Sequence, residues 1–64
     1  MSERDIWRAA VLMMKRHGPD ATLQASMRVD ALLAEGDIDG QRVWLRIVAA
    51  IKALQETKAP GMVH

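Results

Sequence analysis

The residues capable of acid–base, nucleophilic or metal chemistry are few and scattered. The sequence has two histidines and no cysteine. His17 is the one histidine inside a helical stretch, and its nearest following carboxylate, Asp20, lies across the Gly18-Pro19 break. Nucleophilic catalysis needs a nucleophile and a base held against each other. Ser2 and Ser26 have no motif around them, and His64 lies in the C-terminal six residues. Zinc would need Cys/His pairs at fixed spacing or an HExxH helix, and neither occurs. Asp37-Ile38-Asp39-Gly40 is superficially like a calcium loop, but it lacks the ligand spacing and the closing glutamate, and its acids suit helix caps better. There is no phosphate-binding or dinucleotide glycine pattern. The expectation is a non-catalytic chain with no catalytic residue, no metal and no cofactor, in which His17 is a structural residue at a helix end.

Binding of nucleic acid is the second chemistry to weigh. Three helices with a glycine-containing turn before the last have the outline of a helix-turn-helix. The third helix would then offer Gln41, Arg42 and Arg46 to a groove, and Arg4, Arg8 and Lys15 form a basic stripe on the first. Asp37 and Asp39 oppose this, since they sit where phosphates would approach. Net charge is only +1, whereas nucleic-acid-binding domains carry a strong basic footprint. This reading is kept as the alternative.

The elements that position these residues follow from composition and punctuation. The chain has 64 residues, half of them apolar, with ten alanines, no Phe and no Tyr. Trp7 and Trp44 are the only large rings available to a core. Gly18-Pro19 and Gly36-Asp37 cut the sequence into three segments rich in helix formers. The first helix is expected from about Ser2 to His17, capped by Ser2 with Asp5 at the third position, and stapled by Met1 and Ile6. Ile6, Ala10, Met13, Met14 and His17 share its apolar face, and Leu12 projects from the charged side. The third helix is expected from about Asp39 to Lys58, with Asp39 as cap and Ile38 stapling onto Val43. Its face is Val43, Trp44, Ile47, Val48, Ala50, Ile51 and Leu54, with Leu45 off it.

The second helix, about 20–35, is apolar on two sides. Leu23, Met27, Ala31 and Ala34 form one stripe; Ala25, Val29, Leu32 and Leu33 form another. Such a helix is usually packed on both sides, by its neighbours or by a second chain. Asp30, between the stripes, is then a candidate buried carboxylate in need of a partner, with His17 the other candidate buried polar group. The expected fold is an all-α, compact three-helix bundle over residues 1–58, with a flexible tail at 59–64.

Charge alternates along the chain. Residues 1–18 carry +2, 19–39 carry −4 and 40–64 carry +3. Internal compensation explains this pattern; so does docking between complementary surfaces. A chain this short seldom retains more than about 3–5 kcal/mol from one core. Leu12, Leu45, Val29 and Leu33 are therefore the candidate interface residues, and the expected partner is a protein, either the chain itself as a homodimer or a larger complex. The longest uncharged apolar run, Ala9–Met14, is far short of the roughly 20 residues of a membrane span. The mixed-charge start, with no apolar stretch after it, argues against a secretory signal.

The run from Leu32 to Ile47, with Ile6-Trp7-Arg8-Ala9-Ala10 and Lys15-Arg16-His17-Gly18 upstream, resembles a family of short uncharacterised alphaproteobacterial helical proteins. The likeness covers roughly residues 3–58. It implies a stand-alone bacterial cytoplasmic protein and no site residues.

Overall fold

In a computed structural model of the chain, which describes residues 2–58, Ser2 opens the first helix. Its extended backbone and hydroxyl make it the N-cap, and the Asp5 N–H donates to Ser2 Oγ at 3.3 Å. The helix, α1, runs over Glu3–His17, with Glu3 and Asp5 in the first turn and Lys15, Arg16 and His17 in the last. That order of charge suits the helix dipole. Met1, the other half of the expected staple, lies outside the described residues, as does the tail expected at 59–64.

Gly18 and Pro19 were expected to separate two helices, and the chain does not leave helical geometry there. Gly18–Asp20 form a 3-10 turn that leads directly into α2, Ala21–Ala34. Glu3–Ala34 is thus one bent helical run of 32 residues, not two helices joined by a loop. Gly18 makes the bend with φ +56° and ψ −129°, a conformation nearly closed to residues with a Cβ. Pro19 fits the first turn of a new helical stretch, where its missing N–H is no loss.

α2 ends in a Schellman motif. The Asp37 N–H donates to the Leu32 carbonyl at 2.9 Å and the Gly36 N–H to the Leu33 carbonyl at 3.0 Å. Gly36 takes φ +78° at the position where this motif calls for a left-handed residue. The last helix, α3, covers Ile38–Lys58. Its cap is Asp37, not Asp39 as expected: Asp37 Oδ1 accepts the Gly40 N–H at 2.9 Å. Asp37 therefore ends one helix with its backbone and begins the next with its side chain. Ile38, inside the helix, is about half exposed and is no staple. A Cβ on Gly40 would lie 2.5 Å from Asp37 Oδ2, so the glycine leaves room for the capping carboxylate.

The core sits where α1 and α2 meet α3. Ile6 and Ala10 come from α1, Ala21, Ala25, Val29 and Leu32 from α2, and Ile47, Val48, Ala50 and Ile51 from α3. Met13, Met14, Val43, Trp44 and Leu54 pack around it, half buried. Ile47 and Ile51 are the largest side chains removed fully from water. Four of the buried residues are alanines, which allow close helix approach because helix separation follows side-chain size. The expected face of α3 is the face that packs. Trp7, expected as a core ring, lies instead on the outer side of α1 and is 38% exposed.

Candidate functional site: two outer stripes of opposite charge

The expectation that α2 is covered on both sides is overturned within one copy of the chain. The stripe of Ala25, Val29 and Leu32 is buried against α3, but the opposite stripe is wet: Leu23 is 59% and Met27 55% exposed, and Ala31 and Ala34 are also exposed. Three helical segments of this length enclose one core, and a helix seated on that core by one face turns the other outward. Asp30 lies on the outward side and is exposed, so its carboxylate is solvated and needs no buried partner. Val29, a candidate interface residue, is a core residue at 7% exposure. Leu12, Leu33 and Leu45 are each about half exposed.

His17 is exposed too, contrary to its expected place on the apolar face. Its phase was extrapolated along a straight helix, but it is the last residue before the bend, with φ −115° and ψ −7°. Among the described residues there is no group of three or more His, Asp or Glu side chains placed to hold a metal ion. No buried side-chain polar atom among them lacks a partner. Gln41 is half buried and Arg42 and Arg46 are exposed, while the leading end of α3 presents exposed Asp37 and Asp39. No helix among the described residues is long and apolar enough to cross a membrane.

Two surface depressions lie among the described residues. One, of about 390 Å³, lies where the end of α1 meets α3, lined by Met14, Gly18, Pro19 and Gln55. Among the described residues its lining includes one side-chain amide, that of Gln55. The other, of about 580 Å³, runs along the outer side of α1 and is lined by Arg4, Trp7, Arg8, Val11, Leu12 and Lys15. At 100° per residue these six fall within a sector of about 140°, opposite Ile6 and Ala10. The sector holds three cations and no carboxylate.

α2 presents the converse. Leu23, Met27, Asp30 and Ala34 fall within about 60° of arc opposite Leu32, with Asp20 one turn earlier, and all are exposed. Arg28 is the one basic residue between Pro19 and Asp39. It turns away from this stripe toward α3, where its guanidinium carbon stands 5.8 Å from the Trp44 ring centroid. That distance is within cation–π range. The acidic stripe is thus left without a cation of its own. The sequence reading found Leu12 and the basic trio but missed that Trp7 and Val11 join them. It also paired Leu23 with Met27 without seeing which side of α2 is wet. The signal for both was present in the helical phase; what it lacked was the choice of buried side.

The chain matches no family model, no curated protein and no solved structure.

Proposed function

We propose that the chain is a small non-catalytic all-α protein that acts through protein–protein contact, first of all with its own copies. The observation that carries this reading is the wet apolar side of α2, where Leu23 and Met27 are more than half exposed. A single exposed leucine is ordinary. Here Trp7, Val11, Leu12, Leu23, Met27, Leu33, Ile38 and Leu45 are all large and exposed on one small body, and the grouping of Trp7, Val11 and Leu12 on one side of α1 and of Leu23 and Met27 on one side of α2 is what marks a contact surface. Methionine suits an adaptable contact surface. The acidic leading end of α3 favours a protein partner over a phosphate backbone. The likeness to short alphaproteobacterial cytoplasmic proteins belongs to the same proposal.

Sedimentation of the full chain over a concentration series tests it. Mass should rise above the 7.1 kDa of one copy as concentration increases. A strict monomer at high micromolar concentration ends the self-association reading. Leu12→Lys combined with Leu45→Lys should weaken the assembly while leaving the helical circular-dichroism signal unchanged. An assembly indifferent to both changes has its interface elsewhere.

A further inference from the structure

The two outer stripes match each other in length, order and charge. On α1, Arg4 and Lys15 are eleven residues apart, about 16 Å along a helix axis, and Trp7, Val11 and Leu12 lie between them. On the other stripe Asp20 and Asp30 are ten residues apart, about 15 Å, and Leu23 and Met27 lie between them. Each stripe has a charge at either end and apolar side chains between, the basic one with Arg8 as a third cation in its middle, and the signs are opposite. We propose that the basic stripe of α1 receives the acidic stripe of α2 from a second copy of this chain. The proposal rests on the self-association reading above and assigns the surfaces that carry it.

Features of the single chain support this pairing. Arg4 and Arg8 stand one turn apart, a like-charge pair that disfavours an isolated helix, and among the described residues neither has an ion-pair partner. Carboxylates brought from outside reverse that repulsion. Arg28, the cation best placed in sequence to neutralise the acidic stripe from within, is engaged over Trp44. The apolar middles then bury one another, which supplies the non-directional part of the attraction, while the terminal charges set register and orientation. Leu33, Ile38 and Leu45 belong to neither stripe and take no part in this contact.

A charge swap tests the pairing on the full chain. One variant carries Arg4→Glu and Lys15→Glu, the other Asp20→Lys and Asp30→Lys. All four positions are exposed, so the helical signal should be kept, and circular dichroism checks it. Alone, each variant sets like charges against like and should self-associate at least about tenfold more weakly than wild type. Mixed in equal amounts, the two restore opposite charges at both contacts, and association should return to near the wild-type level. If the mixture does not recover, or if either variant alone associates as wild type does, the pairing is wrong although the chain self-associates. Loss confined to the Arg4/Lys15 variant would give the basic stripe a different acidic occupant and likewise overturn it. A wild-type chain that stays monomeric defeats the underlying reading instead, so the two failures are distinct.

Discussion

The Thr22 hydroxyl donates a hydrogen bond of 3.2 Å to Gln55 Oε1, tying the start of α2 to the last turns of α3 across 33 residues of sequence. Both side chains are half buried. The bond lies at the end of the molecule where the bend at Gly18 sends the chain back, so it fixes how the second half of the long bent run seats on α3. A net contribution of about 1 kcal/mol is expected of such a bond. Thr22→Val and Gln55→Met should each cost about that much in urea denaturation, and the double variant should cost less than the sum of the two. Full additivity would mean that the two residues are not coupled.

The two positive-φ glycines make a second test. Nothing lies within 4 Å of a Cβ built on Gly18 or Gly36, so alanine meets no steric neighbour at either place. The cost is conformational alone, about 1–2 kcal/mol for each. Gly36→Ala strains the Schellman turn; Gly18→Ala strains the bend. Thermal melts of the two variants should both fall. A Gly18→Ala chain as stable as wild type would show that the bend does not require φ +56°.

Core packing gives a third. Ala25 is fully buried where α2 faces its neighbours. Ala25→Leu forces the helices apart, at about 1–3 kcal/mol. Ile51→Ala, at a site with no exposure, empties a cavity and costs about 2–5 kcal/mol, comparable to the whole net stability of a chain this short. The Ile51→Ala protein should lose most of its helical signal at room temperature. Retention of a cooperative melt would mean that assembly, not the single-chain core, carries the stability.

Trp7 reports on the outer stripe of α1. In a Trp44→Phe variant it is the sole indole of the chain. As protein concentration rises, its emission should move to shorter wavelength, because docking takes the ring out of water. Constant emission through a range in which sedimentation shows association would place the contact away from α1.

Much of the local structure was legible from residue types and spacing. Ser2 caps as expected because a short hydroxyl before an acidic turn satisfies orphan N–H groups whatever else surrounds it. The faces of α1 and α3 followed from a 3.6-residue period, so Ile6, Ala10, Ile47 and Ile51 were read as core. The cap of α3 was misplaced by two residues, since Asp37 and Asp39 are chemically equal candidates. The Schellman turn of α2, which places Asp37 just past its end, makes the choice between them.

Two of the sites that failed share one cause. Asp30 was expected to be buried and Val29 to lie at an interface, whereas Asp30 is exposed and Val29 is in the core. Both expectations needed to know where neighbouring elements stand; that for His17 failed at the local bend. For α2 the two apolar stripes are equivalent as a pattern, and nothing in the helical phase says which one α3 covers.

Composition, capping chemistry and periodicity thus determined, without any tertiary information, that this chain is helical, where its segments turn and which faces are apolar, because these depend on interactions spanning four residues or fewer. Tertiary structure decided that the first two segments form one bent run, that alanines line the close contacts, and that Leu23 and Met27 remain in water beside Asp30. Those outcomes depend on which surfaces meet across the chain. A helix apolar on two sides has no local reason to bury one stripe over the other until α3 is placed against it.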